Sequence, residues 1–175
     1  MLVRPGSSDD ARACVGIYRP YVEDTAITFE TEVPGIDQMA ERIAAAREMH
    51  EWLVIERDHE VVGYAYAHTF NPRPAYRWAA ETSVYIAAGH HGAGNGRRLY
   101  AQLLGRLAER GYRRAFAGIT QPNEGSNALH RSMGFQPAGL FRRVGWKNGD
   151  WHDVAWMQRD LPGAVEHGGR PTEIT

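Results

Sequence analysis

Apolar residues recur along this chain at two spacings, and the switches between them lay out its elements. Residues 2–4 alternate as a short strand cut by Pro5-Gly6. Ser8-Asp9-Asp10 then supplies an N-cap and two acids for a helix predicted to run to about Tyr18. Pro20 and the polar run behind it predict an irregular segment through Pro34-Gly35. A second helix follows Asp37, with Met39, Ile43 and Ala46 inward and Glu41, Arg42, Arg47 and Glu48 outward. Residues 52–57 and 61–69 read as strands around a tight polar turn at Asp58-His59-Glu60. Asn71-Pro72-Arg73-Pro74 is a loop, because proline restricts both itself and its predecessor.

The second half repeats the alternation on a longer scale. A strand over residues 79–86 runs into a glycine-rich loop and then a helix over residues 95–110, which gathers Leu99, Leu103, Leu104 and Leu107 on one face and stops at Gly111. A strand over 114–120 and a short helix over about 126–133 follow, the latter ending at Gly134. Two long strands, 136–146 and 151–160, flank Lys147-Asn148-Gly149-Asp150, whose Asn-Gly pair is a strong hairpin signal. The order of elements predicts an α/β domain with a mixed sheet over residues 1–161, without repeats or an internal linker. From Pro162 to Thr175 the Gly-, Pro- and charge-rich composition predicts a disordered tail.

Composition narrows the possibilities. A chain of 175 residues, 43% hydrophobic and 23% charged, suits one soluble domain with a sizeable core. A formal net charge of −1 gives no electrostatic reason to expect nucleic acid or an anionic membrane. Apolar runs fall well short of the ~20 residues needed to span a bilayer, and residues 1–10 lack a signal core. A single cysteine, Cys14, fits a reducing compartment, hence the cytoplasm, and its amphipathic setting predicts a buried, inert thiol rather than a nucleophile.

The chemistry concentrates in one stretch. Glu81-Thr82-Ser83-Val84-Tyr85-Ile86 leads to His90-His91-Gly92-Ala93-Gly94-Asn95-Gly96-Arg97-Arg98 at the start of the long helix. Glycines at alternate positions leave main-chain N–H groups unshielded, and the helix start adds unsatisfied amides and a partial positive charge. With Arg97 and Arg98, such a loop suits a pyrophosphate, and Glu81 places a potential base on the strand leading to it. The alternative is a glycine-rich turn without a ligand. A G-x-x-x-x-G-K-S/T phosphate loop is excluded because the chain has no Gly-Lys pair. The dinucleotide pattern G-x-G-x-x-G also fails, since its third glycine falls on Arg97 or Leu99.

What remains, H-x-x-G-x-G from His91 to Gly96, resembles the Q/R-x-x-G-x-G/A signature of the GNAT acetyltransferases, with His91 replacing the first polar residue. Thr28-Phe29-Glu30-Thr31-Glu32, Glu81-Thr82-Ser83-Val84-Tyr85, Asn123 with His130-Arg131-Ser132-Met133-Gly134-Phe135, and Gly149-Asp150-Trp151-His152-Asp153-Val154 are similar to landmarks of the phosphinothricin and methionine sulfoximine acetyltransferase branch. The resemblance implies a GNAT fold, with a twisted, mostly antiparallel mixed sheet flanked by helices. It implies a cytoplasmic, dimeric enzyme moving acetyl from acetyl-CoA to the α-amino group of a small amino-acid analogue.

Carried onto this chain, the resemblance makes Glu81 the base and His130 an acid or second base. Val84, Tyr85 and Ile86 would pair with the pantetheine arm, and Gly92, Ala93, Gly94, Asn95, Gly96 and Arg97 would hold the pyrophosphate. Asn123 and Ser132 would add cofactor contacts. Phe29 and Glu30 would form one substrate wall, and the loop bearing Arg73, Ala75, Tyr76 and Arg77 would meet a carboxylate. Each assignment has a plainer counterpart: a strand carboxylate paired with arginine for Glu81, a surface helical residue for His130, solvated arginines in the loop. His90, His91, His130 and His152 lack H-x-x-x-H spacing and the cysteine is remote, so no metal is expected. Trp146, Trp151 and Trp156 read as core or dimer contacts. Other readings are acetylation of a different amine (an amino acid, an antibiotic or a protein N-terminus) and a non-catalytic acyl-CoA-binding module.

Overall fold

A computed structural model describes residues 1–163 and 173–175. Its elements are β1 (Leu2–Pro5), α1 (Ala11–Asp24), α2 (Ile36–Met49), β2 (Trp52–Arg57), β3 (Glu60–Thr69), β4 (Ala79–Ile86), α3 (Asn95–Arg110), β5 (Arg114–Gln121), α4 (Glu124–Ser132), β6 (Gln136–Lys147) and β7 (Asp150–Asp160). Single 3-10 turns at Ser8–Asp10 and Pro74–Tyr76 precede α1 and β4. One seven-stranded sheet has the order β1-β2-β3-β4-β5-β7-β6. Every neighbouring pair is antiparallel except β4 and β5. This is the α/β arrangement expected, and the single parallel pair exists because α3 carries the chain back across the sheet.

Helix α1 corrects one expectation: it continues through Pro20 to Asp24 instead of ending near Tyr18. Proline clashes with, and removes a bond from, the carbonyl four residues back. Here that residue is Gly16, which like Arg19 and Pro20 faces solvent, so water can reach the freed carbonyl. The opposite face keeps burying Ile17, Tyr18 and Val22 against Met39 and Ile43 of α2. Packing on that face outweighs the local cost.

Two cores sandwich the sheet. On one face α3 buries Leu99, Leu103 and Leu107 completely against Leu53, Ala65, Ala80 and Ala115. Each such leucine contributes roughly 1.5–3 kcal/mol. On the other face α1 and α2 cover Trp52, Tyr64 and Tyr85, with Tyr66 packed alongside. Trp52 stacks on Tyr66 with ring centroids 4.4 Å apart. Cys14 lies in this second core, fully buried, its thiol pushed up to about 12 by desolvation. Most of the expected tail, residues 164–172, lies outside the described residues. Ile174 packs on the α3 core, and the Thr175 N–H donates to the Arg110 carbonyl at 3.0 Å.

Candidate active site

The parallel pair is the origin of the site. β4 and β5 are bonded only at Ala79–Arg114, Ala80–Ala115 and Glu81–Phe116. Beyond Glu81 the strands part, β4 staying with β3 and β5 with β7. A wedge opens between them. It continues into a cavity of about 400 Å³ bounded by Tyr21, Val84, Ile86, the glycine loop, Ser126 and Leu129. A smaller hollow of about 50 Å³ at its inner end is lined by Thr82, Val84, Tyr85, Tyr100, Ser126 and His130, among others.

The glycine loop forms one wall of the larger cavity. Gly92 and Gly94 adopt φ of +74° and +77°, a conformation costly for any residue with a Cβ. Space is not the constraint, because a Cβ at either position would meet nothing within 4 Å. The Arg98 N–H is bonded to the Gly94 carbonyl at 3.0 Å. The amides of Asn95, Gly96 and Arg97 therefore occupy the unpartnered first turn of α3. Asn95 is buried and donates to the His90 carbonyl at 2.9 Å. Its Oδ1 and the Nδ1 of His90 have no partner among the described residues. Open amides, orphaned polar atoms and the Arg97 side chain at the rim fit a diphosphate. His91 is held by the Tyr21 hydroxyl at 2.9 Å, and that same hydroxyl donates to the Ile86 carbonyl at 2.6 Å. Ala93 is exposed and takes no part in the cavity wall.

Glu81 sits at the apex of the wedge, the last β4 residue paired with β5. Its carboxyl is pushed above the usual range mainly by desolvation, with His68 across the strand pair opposing the shift. Successive residues on a strand face opposite ways, so Thr82 points to the α3 side. There the Thr82 hydroxyl donates to the Phe116 carbonyl at 3.0 Å and lies 3.3 Å from Tyr100 Oη. Tyr100 Oη is 2.9 Å from His130 Nε2, and His130 Nδ1 is 2.8 Å from the Ser126 carbonyl. A carbonyl only accepts, so Nδ1 carries the proton and Nε2 takes the Tyr100 hydrogen. Burial pushes the His130 pKa down, the Ser126 carbonyl opposing. His130 is 3% exposed, which removes the surface-residue alternative.

Other candidates are placed less simply. Glu30 lies against Arg42, which donates to its carboxylate at 2.7 and 3.1 Å, and Tyr18 adds a bond at 3.1 Å. Phe29 is half exposed beside the hairpin, 6.3 Å between ring centroids from His152. Arg73, Tyr76 and Arg77 line a separate cavity of about 410 Å³, which shares Met49, His50 and Thr69 with a neighbouring hollow lined by His68 and touches β4 at Ala79. Ala75 is exposed between them. Asn123 borders the wedge, but its Oδ1 caps α4 by accepting from Ser126 N–H at 3.1 Å. Ser132 turns onto its own helix, donating to the Leu129 carbonyl at 2.8 Å, and is not part of the wedge wall. Trp146 and Trp151 are 58% and 52% exposed, which rules out the core reading for both.

Sequence reasoning missed Tyr21, Thr82, Tyr100, Ser126, Arg42 and His68. Their positions depend on pairing across elements that the linear pattern does not reveal. Only the register of two strands would have set His68 opposite Glu81.

The geometry has known counterparts. The family profile described as "Acetyltransferase (GNAT) domain" matches residues 4–156. A phosphinothricin N-acetyltransferase of Streptomyces coelicolor is 40% identical over 91% of this chain and 95% of its own. An L-methionine sulfoximine/L-methionine sulfone acetyltransferase of Pseudomonas paraeruginosa is 34% identical over 91% and 94%. The crystal structure of a phosphinothricin acetyltransferase from Sinorhizobium meliloti, in complex with acetyl-CoA, superposes with a TM-score of 0.92 at 35% identity, covering 98% of this chain and 93% of that one. A split sheet ending at a desolvated glutamate, a helix start built to take a diphosphate, and these likenesses over nearly the full length lead to one conclusion: the chain belongs to the GNAT family and is an acetyl-CoA-dependent N-acetyltransferase.

Proposed function

We propose that this enzyme acetylates the α-amino group of a small amino-acid analogue of the phosphinothricin or methionine sulfoximine type, detoxifying it, and that it acts in the cytoplasm as a homodimer. The observation that carries the reading is Glu81, a desolvated carboxyl at the one point where the sheet splits. Bound acetyl-CoA supplies the activated thioester. The amides of Asn95, Gly96 and Arg97, with the Arg97 side chain and the backbone of Gly92 and Gly94, would hold the diphosphate, and the β4 backbone beyond Glu81 would take the pantetheine arm. Val84 and Tyr85 belong to this edge; the Ile86 N–H already lies 3.3 Å from Tyr21 Oη. Fixed donors of this kind are worth ~3–4 kcal/mol when aimed at developing charge.

An ammonium must lose a proton before it attacks, and Glu81 takes it. The thiolate that leaves needs one back. The Tyr100–His130 pair, on the opposite face of β4, is its source. Glu30 and Phe29 border the amine side. From the cavity they line before β4, Arg73 and Arg77, with Tyr76 beside them, would have to extend toward Glu81 to meet the substrate carboxylate. For the dimer, the edge strand β6 and its hairpin partner expose Leu140, Phe141, Val144, Trp146 and Trp151. An apolar edge of this kind calls for a covering partner.

Thiol release from acetyl-CoA, measured against phosphinothricin, methionine sulfoximine, methionine sulfone, free amino acids and amines lacking a carboxylate, tests the proposal. Turnover confined to α-amino acids, with the analogues leading, is expected. Preference for an amine without a carboxylate overturns the substrate class, and CoA binding without turnover on any amine overturns the enzymatic role of Glu81.

A further inference from the structure

His68 is a polar residue at the site that the reaction as described leaves unused. In the antiparallel register of β3 and β4 it stands directly opposite Glu81. Its Nδ1 lies 3.2 Å from the Thr69 carbonyl, which only accepts. The proton of the neutral ring therefore sits on Nδ1, and Nε2 carries the lone pair. That lone pair is 3.9 Å from Glu81 Oε1. A shift of about 1 Å in either side chain closes the gap to hydrogen-bond length. The two groups also differ in access: the His68 side chain is 44% exposed and that of Glu81 25%. His68 is thus the wetter member of the pair.

We propose that His68 is the proton exit of the site, taking from Glu81 the proton that Glu81 has taken from the substrate ammonium and passing it to solvent. The transfer moves one proton and no electrons. The N–H bond of the ammonium breaks as the Glu81 O–H forms; that O–H then breaks as N–H forms on His68 Nε2. Imidazolium releases the proton to water, and Glu81 returns to carboxylate. The exit returns to carboxylate a group that burial favours in its protonated form.

Tyr66 shares the β3 face and lies tilted beside His68, with ring centroids 5.8 Å apart. Arg42 of α2 and His50, the residue just past its end, line the same hollow as His68. Burial holds His50 down to about 4, His68 and Arg110 adding to the shift, so His50 is neutral and does not compete for the proton. Arg42 is neutralised by Glu30, from the segment between α1 and α2. On the β5 side Glu81 is paired with Phe116, which cannot titrate. Of these groups, His68 is the one whose ring nitrogen lies within 4 Å of the Glu81 carboxyl.

The inference rests on Glu81 being the base, and its test keeps the two claims apart. Turnover is measured across pH for the wild type, His68→Gln, His68→Asn and Glu81→Gln, each with and without added imidazole. His68→Gln and His68→Asn should lose about tenfold in kcat, less than the ~100-fold or more expected on removing the base itself. The KM for acetyl-CoA should hold. A protonated His68 favours the Glu81 carboxylate, so its removal should move the acid limb to higher pH. Added imidazole should restore the rate, which a merely structural loss would not allow. Wild-type kcat and pH profile in both His68 variants overturn the proposal, as does a loss that imidazole leaves untouched. Wild-type turnover in Glu81→Gln defeats the assignment of the base instead. In the unmodified enzyme, 15N NMR of the imidazole reads the tautomer directly: a proton on Nδ1 is expected, and one on Nε2 contradicts the exit.

Discussion

Glu81 carries opposite consequences for catalysis and for folding. Its carboxyl is raised by desolvation, so the native state binds a proton more tightly than the unfolded chain does. The stability it contributes is complete below the ordinary glutamate range and is lost as pH rises through the higher native value. At neutral pH the ionised group is a net burden on the fold. Glu81→Gln should therefore raise Tm at pH 7–8, with the gain shrinking as pH falls below the usual carboxylate range; calorimetric scans at several pH values check this. For activity the sign reverses, and the acid limb of kcat/KM should lie above that of an ordinary carboxylate. At this scale the sequence was informative where chemistry is local. Glu81 and the glycine loop stand out in the linear chain. His68, Tyr100 and Arg42 acquire meaning only from the residues that fold against them.

The elements divide in the same way. α3 could be drawn from its leucine spacing and its ends, and Asn95–Arg110 is where the pattern put it. Leu103→Ala, at the centre of its buried face, should cost about 2–5 kcal/mol in a denaturant titration. The loop before α3 makes a second demand, on conformation rather than packing. Gly94→Ala must hold φ near +77° with a Cβ present, at roughly 1–2 kcal/mol. That strain should raise the Kd for CoA about tenfold in isothermal calorimetry while leaving the α3 core intact. α1 was harder to read, because proline is a strong local stop signal. Nothing in residues 16–20 alone announces that a solvent-facing Gly16 and a buried Ile17–Tyr18–Val22 face will carry the helix past it.

Across the whole molecule, the α/β class and order of elements were legible because alternation and helical spacing change over cleanly at glycine and proline. The decisive feature was not. A parallel pair bonded over three residues and then parting is a matter of how β5 turns to β7, and no local signal specifies it. The exposed hairpin belongs to this scale too. If β6 and β7 meet a second copy, Trp146→Glu should convert a dimer to a monomer in sedimentation velocity without lowering Tm by more than about 2–4 °C. A wild-type chain that sediments as a monomer at micromolar concentration contradicts that assembly.

The most direct test of the account compares acetyl-CoA turnover by the wild type and Glu81→Gln at pH 7.5 on methionine sulfone, with CoA affinity measured on the same samples. The account predicts equal affinity for CoA and a loss of turnover of about 100-fold or more. Equal turnover by the two proteins would contradict it, because the wedge between β4 and β5 would then deliver the thioester to a site that does not need the carboxylate at its apex.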